Sequence, residues 1–419
     1  MALGAPRNAA MNQNIYVIGA ARTDFKRNLK KEGRTLQDVI VEVGRDAIAN
    51  AGLVPTDVQA GIVGNFAAGL YTRQLHLGSL LIGIDDSLRG IPTLHTEAAC
   101  ASGSVGVLNA ALWIAAGLYD VVLVVGAEQQ KTMPPAEGAD VLAAAADWNV
   151  ERSQYGEHMM PKMFARVADL YAQRYGLTEK QLSTVVLKNF SHAQLNPMAQ
   201  MRDAGMTIER AMTACDSNPR FAPPLKISDC SQISDGAAAV VLVSEKFVRD
   251  PARAMKLLGF GHTTDCLQLD RKSVPEFPFA RKAAEQAYAM AHKSPRDLHA
   301  AEVHDCFSIS ELIAYEALGW ADRGQATALL ESGATTLPQL RQAVGVGTKP
   351  AFSMPVNTGG GLIADGHPVG ATGVRQVVEM FQQVCGEAGQ RQVDGAETVM
   401  TFNMGGSFTT SVAMIWGKR

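Results

Sequence analysis

The stretch CASGSVGVLNAALWIAAGLYDVVLVVGAE, residues 100–128, decides the fold class. Its first part, 100–118, is mostly small and apolar and predicts a helix that opens on a cysteine. Its second part, DVVLVVGAE (120–128), is a β-branched apolar run, the pattern of a strand in a sheet covered on both faces. Val107 to Ala127 is about long enough to span a membrane. Asn109, Asp120 and two glycines interrupt it, so a buried helix running into a buried strand is the better reading.

Working outward, NIYVIGAARTDF (14–25) reads as a strand with a Gly-Ala turn, and 35–52 has helical apolar spacing ending at Gly52. GIVGNF (61–66) is a further strand. Residues 129–234 change texture: they are rich in Met, Pro and polar residues, carry the amphipathic run KMFARVADLYAQRYG, and predict a mostly helical insertion. The sheet resumes at GAAAVVLVSE (236–245). A second half follows from 251 to 419, with a strand near 253, a helix at 279–292, AEVHDCFS, a Gly-rich stretch at 359–373, a helix to about 384, and the strands TVMTFNMGG and TTSVAMIWG. Each half runs from a polar or Gly-rich turn through a helix to an apolar strand, Cys100 in one and His367 in the other. Duplication of an α/β unit and plain βα alternation both fit that order.

Composition narrows the function. The chain has 419 residues, 47% apolar and 19% charged, enough for a large core in two or three domains or one fused unit. Its 38 Lys and Arg against 41 Asp and Glu give a formal charge of −3, with no basic block, which removes compositional support for nucleic-acid or polybasic membrane binding. Six cysteines without a CxxC pair argue against a disulfide framework and a Cys-based zinc site, and suit a reducing compartment. No secretory-type apolar leader and no peroxisomal SKL ending are seen, so a cytoplasmic protein is expected.

Four places join reactive side chains to Gly-rich backbone. Cys100 precedes a helical run, where amide groups and the helix dipole favour a thiolate; a buried structural cysteine is the plain alternative. His367, between Gly366 and Pro368, is placed to serve as base to a thiol, or to cap a helix. His304 and Cys306 lie two apart after an apolar run and would share a face if extended; metal ligation there has little support, since no other His/Cys cluster has ligand spacing. FNMGGSF (402–408) ends a strand in Gly-Gly, whose amides suit an oxyanion, or simply make a turn. With no GxGxxG and no GxxxxGK[ST], the group points to acyl transfer through a thioester on Cys100.

These residues carry a resemblance. ACASG around Cys100, SDGAAAVVLVSE (234–245), HDCFSISELIAYEALG (304–319) and NTGGGLIADGHPVGATG (357–373) resemble the thiolases, and among them the sterol-carrier-protein-type thiolases. The resemblance covers nearly the whole chain. It implies a duplicated five-layer α/β/α/β/α fold, with one half from 12–128 and 235–250, an inserted loop domain at 129–234 that binds coenzyme A and substrate, and a second half at 251–419. A following sterol-carrier domain is expected to be absent, the chain ending at Arg419.

By that resemblance Cys100 is the acylated nucleophile and His367 the group that takes its proton. Many thiolases place an acid/base cysteine in a CxG motif; here that position is Asn403, in Asn403-Met404-Gly405, and Cys306 is the natural substitute. His304 stands in for the Asn of a NEAF motif, and Ser231 matches a serine that contacts pantetheine. The backbone N–H groups of Cys100 and Gly405 are the expected oxyanion donors. The implied reaction is thiolysis of a 3-ketoacyl-CoA, as in fatty acid β-oxidation, or the reverse Claisen condensation. Coenzyme A is the co-substrate, and neither a permanent cofactor nor a metal is expected. A homodimer or homotetramer is expected by analogy. A ketoacyl synthase-like condensing enzyme, an aldol lyase acting on a steroid side-chain CoA ester, and a CoA- or lipid-binding module are the alternatives. Met159, Met160 and Met163 either line an acyl pocket or pack a helix.

Overall fold

The computed structural model describes residues 13–419. The first half contributes β1 (Ile15–Arg22), α1 (Leu36–Asn50), β2 (Ala60–Gly64), β3 (Thr93–Thr96), α2 (Ser102–Ala115) and β4 (Val121–Gln129). An insertion with the long helices α3 (Met159–Tyr175) and α4 (Glu179–Gln194) follows, then β5 (Asp235–Ser244). The second half contributes β6 (Met255–Thr264), α5 (Pro278–Ala291), β7 (Ala300–Glu302), α6 (Ser308–Ala317), α7 (Thr372–Cys385), β8 (Thr398–Gly405) and β9 (Thr410–Lys418).

The strands are ordered β3-β2-β4-β5-β1-β6-β9-β8-β7. Pairing shows the duplication directly. In the first half β2 is parallel to β3 and β4, while β5 is antiparallel to β4 and β1. In the second half β7 is parallel to β8 and, through a single Ala301–Val356 bridge, to the place of a fifth strand; β9 is antiparallel to β8 and β6. The halves join where Tyr16 and Val17 of β1 meet Lys256 and Met255 of β6. The repeat reaches single residues. β1 and β6 each slip register once, just before Gly19 and Gly259. An added Cβ at Gly19 would lie 2.5 Å from the Ala47 carbonyl of α1, and one at Gly259 would lie 2.5 Å from the Ala287 carbonyl of α5. Each half thus lays one helix on its bulged strand at a contact only glycine allows.

Strand alternation sorts the layers. Val122 and Val124 of β4, Met414 and Trp416 of β9, and the apolar faces of α2 and α7 share one central core. Val121, Leu123 and Val125 pack outward on α1. Met400, Phe402 and Ile415 pack outward on α5, α6 and part of the insertion. The order is therefore helix, strands, paired helices, strands, helix, which is the five-layer arrangement.

The insertion leaves from Gln129 and returns at Asp235, residues that face one another across β4 and β5. The buried Asp235 carboxylate pins both ends, accepting the backbone N–H groups of Gln130 (2.7 Å), Lys131 (2.8 Å) and Leu29 (2.9 Å). Met159 and Met163 are buried in the outer core beside Phe164 and Phe307, with Met160 packed against it, which is the helix-packing alternative for these methionines.

Candidate active site

After β3 the chain turns sharply through Glu97–Ala101 into α2. Ala99 sits at φ 50°, a left-handed conformation that costs a residue with a Cβ about 1–2 kcal/mol. Side chains brace the turn: Glu97 Oε1 accepts from Ala99 N–H at 2.5 Å, and Ser102 Oγ accepts from Ala98 N–H at 2.9 Å while donating to the Ala99 carbonyl at 2.6 Å. The turn delivers Cys100, 8% exposed, two residues ahead of the first turn of α2. Burial pushes its thiol up to about 12, against a lowering by the Gly406 backbone N–H directed at the sulfur; nearby Glu128 and Glu97 raise it further. The thiolate expected from the helix terminus is therefore not the resting form. Desolvation outweighs the dipole, and the proton stays on sulfur.

His367 follows a five-residue turn, Gly361–Asp365. Its ring Nδ1 lies 2.6 Å from Thr372 Oγ1, which itself donates to the Pro368 carbonyl at 3.2 Å. Thr372 has one hydroxyl proton, so it accepts from Nδ1–H and leaves the Nε2 lone pair free. Burial and the Arg375 guanidinium push the ring down to about 3, so it is neutral at physiological pH and able to take a proton. His304 emerges beyond the end of β7. Its Nδ1 accepts from Asn403 Nδ2 at 2.8 Å, and its Nε2 has no hydrogen-bond partner among the described residues. Burial, His367 and Arg375 hold His304 well below its ordinary value. The two rings stand edge to face, centroids 5.1 Å apart, and the ligand atoms of Cys100, His304 and His367 all lie within 4.8 Å of one another. One sulfur and two imidazoles would also suit a thiophilic cation.

Cys306 is buried beside them, its Sγ 3.7 Å from Ser310 Oγ, and its thiol is raised well above the ordinary range by burial and by neighbouring Cys100. Asp305, between His304 and Cys306, points the other way. Its carboxylate accepts from Leu362 N–H (2.7 Å), Ile363 N–H (3.3 Å) and Asn189 Nδ2 (2.8 Å), tying HDCF to the loop before His367 and to α4. Ser231 donates its backbone N–H to the Cys306 carbonyl at 2.8 Å, and Ser234 Oγ accepts from His367 N–H at 2.8 Å. The returning end of the insertion thus touches both the HDCF segment and the loop that carries His367.

The loop carrying His367 is seated on the first half by glycines. A Cβ at Gly370 would lie 2.6 Å from the Ala127 carbonyl and from Asn65 Cα, and one at Gly103 would lie 2.7 Å from the Gly370 carbonyl. Glu128 joins the same seam, accepting from Gly370 N–H at 3.0 Å, Phe66 N–H at 2.9 Å and Asn65 Nδ2 at 2.9 Å; burial raises its carboxyl to about 7. On the opposite side Gly405 packs so closely on the Ala98 carbonyl that no side chain fits. The amide that reaches the Cys100 sulfur is that of Gly406, one residue beyond the Gly405 named from the sequence. Lys272 braces this turn, its Nζ donating to the Ser407 carbonyl (2.6 Å), Ser407 Oγ (2.8 Å) and Thr409 Oγ1 (2.6 Å).

The structure therefore brings Cys100, His304, Cys306, His367 and the end of β8 together, with Ser231 alongside. Sequence reading passed over Thr372, Glu128 and Lys272, whereas Gly406 belongs to the Gly-Gly pair it had marked. Glu128 had a visible signal, a carboxylate ending a strand otherwise apolar throughout. Lys272 had none, because it meets its partners from 135 residues away.

Comparison with known proteins places this geometry. Residues 15–212 match the family model "Thiolase, N-terminal domain", and residues 261–418 match "Thiolase C-terminal domain-like". The acetyl-CoA acetyltransferase of Methanothermobacter thermautotrophicus is 35% identical over 97% of this chain and 100% of its own. Human sterol carrier protein 2 is 30% identical over 96% of this chain and 71% of its own. Among solved structures, the Ltp2-ChsH2(DUF35) aldolase superposes with a TM-score of 0.79 at 24% identity, covering 97% of this chain and 98% of its own. Human mitochondrial 3-ketoacyl-CoA thiolase in complex with CoA gives 0.70 at 17% identity, covering 98% and 99%. The chain belongs to the thiolase family.

Proposed function

We propose that this protein is an acyltransferase that cleaves a 3-ketoacyl-CoA with coenzyme A, or runs the reverse Claisen condensation, through an acyl group on Cys100. The observation that carries the reading is the convergence of the Cys100 sulfur with His304 and His367 inside a buried site. His367 Nε2 takes the Cys100 proton as the sulfur attacks the 3-keto carbon. The backbone N–H groups of Cys100 and Gly405 hold the oxygen of the tetrahedral intermediate, while the Gly406 N–H is directed at the Cys100 sulfur. The carbon–carbon bond breaks and the enolate of acetyl-CoA, or of propionyl-CoA for a 2-methyl substrate, leaves. His304 Nε2–H and protonated His367 hold its oxygen, and the Cys306 thiol protonates its carbon. The Cys306 thiolate then takes the coenzyme A thiol proton, and the coenzyme A thiolate attacks the acyl-Cys100 carbonyl. The departing Cys100 thiolate recovers its proton from His367, which returns every group to its starting state.

Cys306 fits the shuttle because burial keeps it a thiol next to the nucleophile. Residues 129–234 are the proposed unit for coenzyme A and substrate, with Ser231 at the pantetheine end beside Cys306. Coenzyme A is a co-substrate in this scheme, the working unit is a dimer or pair of dimers, and the setting is cytoplasmic. No described helix is long and apolar enough to cross a membrane. The aldol-lyase alternative shares the fold but forms no acyl group on Cys100, and the placement of that sulfur within 4.8 Å of a nitrogen of each imidazole favours the thiolase. Trapping an acetyl group on Cys100 with acetoacetyl-CoA tests the choice; a protein that cleaves substrate without ever acylating Cys100 is not a thiolase.

A further inference from the structure

We infer that Asn403 is a positioning residue that sets the tautomer of His304, making its Nε2–H the donor for the enolate oxygen. The inference rests on the thiolase reading and deepens it. Asn403 lies in β8, is fully buried, and stands where the resemblance to thiolases puts the cysteine of a CxG motif. Its Nδ2 donates to His304 Nδ1 at 2.8 Å. A neutral imidazole carries one ring proton, so a nitrogen that accepts sends that proton to the other. His304 Nε2 is the other nitrogen, and among the described residues nothing satisfies it. A ring nitrogen of His304 lies within 4.8 Å of the Cys100 sulfur and of a His367 nitrogen, and with Nδ1 engaged by Asn403 it is Nε2 that is left for a reacting oxygen.

The charged and titratable groups facing His304 are His367, the Cys100 thiol and the Arg375 guanidinium. None of them is a carboxylate that would hold a proton on Nδ1. The tautomer therefore depends on the amide of Asn403. Gly373 of α7 is what gives this amide room, since a Cβ there would lie 2.5 Å from Asn403 Oδ1. At this position the chain carries an amide that directs a proton, while proton transfer itself falls to Cys306.

Asn403→Asp tests this with nearly unchanged shape. The carboxylate can only accept, so Nδ1 must carry a proton and Nε2 becomes a bare acceptor until the ring takes a second proton. Two reactions are compared: cleavage of acetoacetyl-CoA, which generates the enolate, and exchange of labelled coenzyme A into acetyl-CoA, which acylates Cys100 without one. The expected result is a loss of cleavage of about 100- to 1000-fold at alkaline pH, the effect of removing one oxyanion donor. The loss should be relieved as pH falls and the imidazolium forms, an acid-side recovery the wild type lacks. Exchange should stay within several-fold of wild type. His304→Ala, which carries no side-chain donor, serves as a second variant, losing cleavage in the same selective way but with no recovery on acidification. Wild-type-like cleavage by Asn403→Asp at alkaline pH overturns the inference, as does an equal loss of cleavage and exchange at every pH. A wild-type protein that performs neither reaction instead overturns the thiolase reading, and this inference with it.

Discussion

Gly370→Ala separates the seating of the His367 loop from every other contribution to the site. Gly370 does not adopt a left-handed φ, so alanine suffers no backbone penalty there and the outcome is purely steric. Its new methyl would stand 2.6 Å from the Ala127 carbonyl and Asn65 Cα and 2.7 Å from the Gly64 carbonyl. All three are backbone atoms of β4, β2 or the turn after β2, and none can rotate away. Reaching the roughly 3.5 Å of an ordinary contact requires the loop to lift by about 0.9 Å. Overpacking of this kind costs about 1–3 kcal/mol of stability. The lift also stretches the 3.0 Å bond from Gly370 N–H to Glu128 and carries His367 away from Cys100. A displacement near 1 Å is worth about 100-fold in rate. Thiolysis of acetoacetyl-CoA, followed by loss of the 3-ketoacyl-CoA absorbance, should fall by that order while the protein still melts cooperatively at a lower temperature. Gly138→Ala is the control, since its methyl would meet nothing closer than Met133 Cγ at 3.9 Å. Gly370→Ala with wild-type turnover and melting would refute the steric argument.

The remaining expectations concern single groups. Cys306→Ala should lower turnover by about 100- to 10,000-fold, the range for a general acid–base group, while acetyl-CoA still acylates Cys100; unchanged turnover removes Cys306 as the shuttle. With its thiol at about 12, Cys100 should be alkylated by iodoacetamide at a rate that rises about tenfold per pH unit from pH 7 to 9. Exposed Cys215, whose thiol Ser217 lowers, should react sooner in the same peptide map, and a plateau for Cys100 near neutrality would mean a resting thiolate. Burial pushes Lys272 down to about 8, below the ~10.4 of a free lysine, so the stability it withholds at neutral pH returns as pH rises through that window. Wild-type melting temperature relative to Lys272→Met should therefore climb from pH 8 to 10, and a flat or falling difference contradicts it.

The fold was legible because its signals are local. β-branched runs at 120–128 and 236–245 became the adjacent strands β4 and β5, and the composition change between them marked the helical insertion. β3 was not legible, since TLHT is four residues long, polar, and exists only through its parallel pairing with β2. At the site, Cys100 and His367, announced by turns of small residues, and the HDCF pair, announced by the end of an apolar run, were readable. Those that tune them were not. The state of Cys100 follows from burial, which no local motif encodes and which overrides the helix dipole. Asn403 was visible only as a departure from a cysteine, because its partner His304 lies 99 residues away in sequence. Lys272 and Glu128 likewise act across the duplicated halves or on distant turns, where spacing carries no information.

The central claim is a covalent acyl group on Cys100. Incubation with acetoacetyl-CoA and coenzyme A, followed by rapid acid quench and peptide mass analysis, tests it most directly. Cleavage of the substrate, an acetyl group on the Cys100 peptide of the wild type, and loss of both in Cys100→Ala are the expected results. Cleavage that persists in Cys100→Ala, or a wild type that shows neither turnover nor adduct with this substrate and with longer and 2-methyl-branched 3-ketoacyl-CoAs, would contradict it.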